Sequence, residues 1–256
     1  MAFQTIEFIK ENGIATIRFN TPEKMNALSP EMKADLFAAF DDVEADSSVR
    51  VLILIGTGKA FSAGGDLSKF KFANQSEARA YAKATTTGVH RRLENLEVPV
   101  IAAVNGFAFG GGMELCIFAD LVIAAESARF ALPESALGAV AGLALVRGPD
   151  MLGMRKLKEL MWLGDRIDAQ EAYRIGFVNQ VVADDQLEAA ALEMAKKIAK
   201  KAPLAIRLSK NALNRRGNEA DWIVTTEVGA LLLSSEDMAE GVRSFEEKRA
   251  PVFKGR

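Results

Sequence analysis

One cysteine, Cys116, and one histidine, His90, are all that the 256 residues contain of either type. A single thiol excludes an internal disulfide, and a zinc site built from several Cys or His ligands is excluded with it. A Ser-His-Asp triad would have to use His90. Neither sign of charge dominates: Lys and Arg total 32, Asp and Glu 34, for a net charge of −2. The chain therefore lacks the overall electrostatic footprint of a nucleic-acid binder or of a protein held on an anionic membrane. No run of ~18 uncharged apolar residues occurs, so no transmembrane helix is expected. Met1-Ala2-Phe3-Gln4-Thr5 has no basic stretch leading into an apolar one, so a secretory signal is not expected there, and a reducing cytosol is the expected compartment.

What is present reads as a globular α/β chain, with 49% hydrophobic and 26% charged residues. Two β-rich runs, residues 5–9 and 14–19, flank Asn12-Gly13, a strong hairpin signal. Ser29-Pro30-Glu31 reads as a helix start, with Leu36, Phe37, Phe40 and Val43 on one helical face. Residues 51–55, 100–104 and 121–124 are continuous apolar runs of strand length, suited to strands buried on both faces. A long helix is expected over 76–96, and another from Asp184-Asp185 that ends in Lys196, Lys197, Lys200 and Lys201, as the helix dipole favours. Helical patterns then continue to about Arg249. The expected organisation is a mixed α/β core over residues 1–195 and a helical C-terminal region over 196–256.

Two small-residue segments follow buried strands: Lys59 to Leu67, containing Ala63-Gly64-Gly65-Asp66, and Asn105 to Glu114, containing Gly110-Gly111-Gly112. Neither fits a P-loop, a dinucleotide fingerprint or a nucleophile elbow. Two readings are open for both: tight turns needing positive φ, or backbone N–H donors aimed at developing negative charge, helped by the positive end of a helix starting at Gly110–Gly112. Glu114 falls in the first turn of that helix, and Glu134 follows Pro133 at another helix start. Each alone could simply compensate a helix dipole. If both face one pocket, burial and mutual repulsion would raise at least one pKa and supply an acid and a base together. His90 reads as a surface or packing residue, and Cys116 as a buried small hydrophobe.

Taken together these segments resemble the crotonase superfamily, and within it the enoyl-CoA hydratases. The likeness runs from Lys24-Met25-Asn26-Ala27-Leu28 through both glycine segments, Phe130 to Glu134, residues 163–169 and Gly176-Phe177-Val178 to residues 240–249. It implies an α/β fold of the crotonase type, a spiral of ββα units, with a C-terminal helical trimerisation region. It implies an acyl-CoA thioester substrate, no metal and no cofactor beyond CoA. The Ala63 and Gly111 N–H groups would bind the thioester oxygen. Glu114 would act as base and Glu134 as proton donor on one water, with Gly142 holding that water. The CoA would lie along Lys24, Ala27, Ala63, Gly64, Gly65, Asp66 and Leu67, and Phe245 and Lys248 match positions that reach CoA from a neighbouring subunit. A homotrimer or dimer of trimers is the implied assembly. The alternatives are an enoyl-CoA isomerase, which needs one carboxylate, and a non-catalytic acyl-CoA-binding scaffold. One departure stands out: where hydratases carry Pro-Gly-x-Gly-Gly-Thr, this chain has Ala141-Gly142-Leu143-Ala144-Leu145-Val146. The bulk of Ala144 and Leu145 predicts a narrowed acyl pocket.

Overall fold

The computed structural model describes residues 3–86, 88–214 and 219–252. Strands β1 (Ile6–Glu11) and β2 (Ile14–Phe19) form the expected hairpin, turning through Asn12 and Gly13 at φ 52° and 77°. Helix α1 (Pro30–Ala45) starts at Ser29, whose side chain accepts the Met32 N–H. Next come β3 (Val51–Gly56) and β4 (Ala60–Ser62). The helix expected over 76–96 is two helices, α2 (Gln75–Thr86) and α3 (Val89–Asn95). Helix α2 ends on Thr85-Thr86 and Gly88 precedes α3; β-branched residues and glycine both lower helix propensity.

The centre of the chain holds β5 (Val100–Val104), β6 (Phe107–Phe109), α4 (Gly111–Phe118), β7 (Leu121–Ala125) and β8 (Arg129–Ala131). It continues with α5 (Ala144–Leu152), α6 (Met154–Leu163), β9 (Ile167–Asp168), α7 (Ala169–Arg174) and β10 (Gln180–Val182). Four helices close the chain: α8 (Leu187–Ala199), α9 (Pro203–Asn214), α10 (Glu219–Leu233) and α11 (Glu236–Glu246).

Six strands form one sheet in the order β1-β2-β3-β5-β7-β10, parallel except for the hairpin. The continuous apolar strands are buried on both faces, as a parallel sheet requires. Along β3, Leu52 and Leu54 face the main core with Leu36, Phe40 and Val43 of α1. Val51, Ile53 and Ile55 face the other way, onto Leu187, Ala191 and Ala195 of α8. The boundary expected at residue 195 falls inside α8, and α9–α11 follow. A second sheet, β4-β6-β8-β9, is built from strands of two or three residues. In it β4 and β6 run parallel. The two small-residue segments therefore leave neighbouring strands side by side. Helix α10 folds back along α2 of the same chain, where Arg79 Nε donates to Glu227 at 3.0 Å. Among the described residues no helix is long and apolar enough to cross a membrane.

Candidate active site

The ends of β4 and β6 and the first turn of α4 open onto a largely apolar cavity of about 990 Å³. Helix α4 starts at Gly111, so the N–H groups of its first turn have no partner inside the helix and point outward with the positive end of the dipole. Gly64 closes on this turn: a Cβ there would lie 2.8 Å from the Gly111 nitrogen. The neighbouring Gly65 nitrogen is 3.6 Å from where a Gly111 Cβ would stand. Two backbone donors, Gly65 and Gly111, thus sit together on the cavity wall, and neither N–H is taken up by an acceptor among the described residues.

Ala63, expected as one of these donors, is differently engaged. Its N–H donates to the Met25 carbonyl at 2.9 Å, which ties the segment to the turn after Pro22–Lys24. Ala63 lines the cavity, but its donor is already used.

Glu114 and Glu134 both line this cavity. Glu114, in the first turn of α4, is 6% exposed; its Oε1 accepts the N–H groups of Leu143 at 2.9 Å and Ala144 at 3.0 Å. Burial raises its pKa, and those two donors pull the other way. Glu134 lies in a 3-10 turn, Pro133–Leu137. Burial raises its pKa as well, and the negative charge of Glu114 raises it further. Its Oε2 is buried and takes no hydrogen bond among the described residues. The environments therefore separate the pair. Glu114 has two N–H donors that stabilise its anion, and Glu134 faces that anion and keeps its proton longer.

The other expected residues divide. Lys24, Ala27, Gly65, Asp66, Leu67, Gly142 and Phe245 line the cavity, Phe245 from α11 of the same chain. Gly64 and Lys248 do not, and Gly64 instead packs the two glycine segments together. Ala144 is buried and Leu145 is 37% exposed, and neither lines the cavity. The narrowing expected from their bulk is therefore absent. Helix α5 begins there, and it turns both side chains away while the Leu143 and Ala144 N–H groups reach Glu114.

Several cavity residues escaped the sequence reading. His90 is not a surface residue but a buried one packed edge-on against Phe118, and beyond packing its Nε2 lies 3.0 Å from the Gly111 carbonyl oxygen. Burial pushes its pKa down to about 4, so the ring is neutral and one nitrogen donates. Lys33, Tyr81 and Thr85 also line the cavity. For Lys33 a signal existed, since it precedes Leu36 by three residues and Phe40 by seven, on the flank of the buried face.

The family model described as enoyl-CoA hydratase/isomerase matches residues 9–256. The chain is 39% identical over 255 residues to a short-chain-enoyl-CoA hydratase of Clostridium acetobutylicum, covering 97% of each. It is 39% identical to a crotonyl-CoA hydratase of Syntrophomonas wolfei over 99% of each chain. A crystal structure of a carnitinyl-CoA hydratase from Mycobacterium avium superposes with a TM-score of 0.87 at 33% identity, covering 99% of both chains.

Proposed function

The chain belongs to the enoyl-CoA hydratase/isomerase family, and from that premise we propose that it adds water across the double bond of trans-2-enoyl-CoA thioesters to give 3-hydroxyacyl-CoA. The observation that carries this reading is the pair of glutamates on one cavity wall, Glu114 buried and Glu134 half-buried with its Oε2 shut off from solvent, held in unlike environments beside two backbone donors.

In this mechanism the thioester oxygen accepts the N–H groups of Gly65 and Gly111. Glu114, ionised, takes a proton from the water as its oxygen bonds to the β-carbon. The carbon–carbon π pair moves toward the carbonyl, and the resulting enolate oxygen is held by the two donors and the α4 dipole. Glu134 then gives its proton to the α-carbon. The sum is one water added, with Glu114 left protonated and Glu134 ionised until a proton passes back. Gly142 stands on the wall near the Leu143 and Ala144 donors and suits the role of orienting the water. The reaction uses no cofactor beyond the CoA of its substrate. Exposed Lys24 and Lys69 at the cavity mouth suit the CoA phosphates, with Ala27, Ala63, Asp66 and Leu67 along the path of the cofactor chain.

An isomerase would require only one of the two carboxylates, so the presence of both in one cavity favours hydration. The C-terminal region of this reading, residues 196–256, carries α9–α11, and a homotrimer or dimer of trimers is the proposed assembly. Leu213 at 64%, Leu231 at 61% and Phe245 at 62% exposure are the kind of apolar surface that an interface covers. The test of the activity is incubation with a panel of trans-2-enoyl-CoA thioesters, following loss of the conjugated absorbance. No loss with any chain length would overturn the reading.

A further inference from the structure

Lys33 brings a cation into a mostly apolar cavity. It lies half-buried on α1, and burial lowers its pKa. Among the described residues no carboxylate forms an ion pair with it. Asp66 is the acid whose charge reaches it, but the Asp66 side chain accepts from the Ser68 N–H at 3.1 Å and from the Ser68 hydroxyl at 2.7 Å. The Lys33 ammonium instead sits over the face of Tyr81, 5.1 Å from the ring centroid. One turn along α2, the Thr85 hydroxyl oxygen is buried beside the Tyr81 hydroxyl, with no well-formed hydrogen bond among the described residues, so its proton is available to a ligand. A cation and a hydroxyl desolvated together with no anion between them are costly, and that cost is offset when a ligand supplies the anion.

We propose that the corner formed by Lys33, Tyr81 and Thr85 binds a carboxylate carried on the acyl chain, so that the substrates are CoA monothioesters of dicarboxylic acids. Lys33 supplies the counter-ion and Thr85 a hydroxyl donor. The CoA phosphates are the competing anions, and they are better served by the exposed Lys24 and Lys69 at the mouth than by an ammonium set among Tyr81, Thr85 and His90. The identity of the acyl end rests on the hydratase reading for its chemistry, but its recognition can be measured without turnover.

The experiment is calorimetric binding of adipyl-CoA and hexanoyl-CoA, both saturated and of equal chain length, to the full chain. The wild type should favour adipyl-CoA by roughly 10- to 100-fold, the range expected of a desolvated hydrogen bond to a charged group. Lys33→Met should bring the ratio of the two affinities close to one, Thr85→Val should lower it in part, and Lys33→Arg should keep it. A wild-type ratio near one, or an unchanged ratio in Lys33→Met, overturns the proposal. So does an equal loss of both thioesters in Lys33→Met, which would assign Lys33 to CoA. Because neither probe carries a double bond, the outcome is independent of hydration. Turnover of the matching 2-enoyl pair reports separately on the hydratase reading.

Discussion

Glu134 Oε1 stands 2.7 Å from the point where a Cβ on Gly110 would be. Gly110 has φ 51° and immediately precedes α4, so this one residue turns the chain into the helix and makes room for the carboxylate. Any side chain there meets both a strained backbone and the glutamate. Gly110→Ala is therefore expected to displace Glu134 and lower kcat for hydration by about 10²- to 10⁴-fold, the worth of one acid–base group. Acyl-CoA affinity should change far less. Steady-state kinetics beside equilibrium binding checks the split, and a variant with wild-type kcat would disconnect Gly110 from the Glu134 position.

Gly111 offers a way to remove a backbone donor without removing the helix. It occupies the first position of α4, where proline is tolerated because the N–H has no helical partner. A Cβ at that position would meet the Leu28 methyl at 3.3 Å, the Gly64 Cα at 3.4 Å and the Gly65 nitrogen at 3.6 Å, a tight fit without a hard clash. Gly111→Pro is expected to fold and to lose about 10²- to 10³-fold in kcat, the measured scale for one oxyanion-hole donor. Far-UV circular dichroism with kinetics tests this. A complex with an acyl-CoA should further put the thioester oxygen against the Gly65 nitrogen and not the Ala63 nitrogen.

How legible this site was in the sequence depends on the range of the interaction. The hairpin at Asn12-Gly13, the strands at 51–56 and 100–104 and the start of α1 are local patterns of period or capping, and the structure has them. Three-residue strands such as β4 and β6 have no period to read, and exist because their neighbours pair with them. The Ala63–Met25 hydrogen bond joins residues 38 positions apart (63 − 25), which no local propensity encodes. Glu114 and Glu134 were visible as an unusual pair. That Glu114 alone has two backbone donors depends on how α5 begins at Leu143-Ala144, and it could be read only in three dimensions.

His90 makes a prediction about acid stability. Its folded pKa lies near 4, below the ~6.5 of an unfolded imidazole. The unfolded chain therefore binds a proton that the folded chain refuses as pH falls through that interval. The contribution of His90 is present above pH ~6.5 and is lost progressively toward pH ~4. His90→Leu should unfold with a shallower loss of Tm between those pH values, while at pH 8 it should be less stable by roughly 0.5–1.5 kcal/mol for the bond to Gly111. Thermal unfolding across pH 4–8 measures both. Parallel Tm–pH curves for the two proteins would refute the assignment.

The sharpest test separates the two carboxylates. Hydration requires an ionised base and a protonated acid at once, so Glu114→Gln and Glu134→Gln should each reduce kcat by about 10²- to 10⁴-fold on 2-enoyl-CoA substrates. KM should stay similar, because neither side chain is proposed to hold the CoA. Their pH profiles should differ from that of the wild type in a related way. Burial raises both pKa values, and the Glu114 charge adds to the rise at Glu134. The wild-type kcat/KM should therefore climb as Glu114 ionises and fall as Glu134 loses its proton, both limbs lying above the ordinary carboxylate range and belonging to the pair. Glu114→Gln removes the repelling anion, so the remaining limb should move to lower pH. An isomerase would behave otherwise, since a single glutamate can carry a proton between the two carbons. Glu114→Gln would then be nearly silent on 3-enoyl-CoA substrates while Glu134→Gln abolished turnover. Assaying both variants on both substrate classes distinguishes the mechanisms, and hydration that survives Glu114→Gln within about twofold, far short of the loss of a general base, would end the two-carboxylate mechanism.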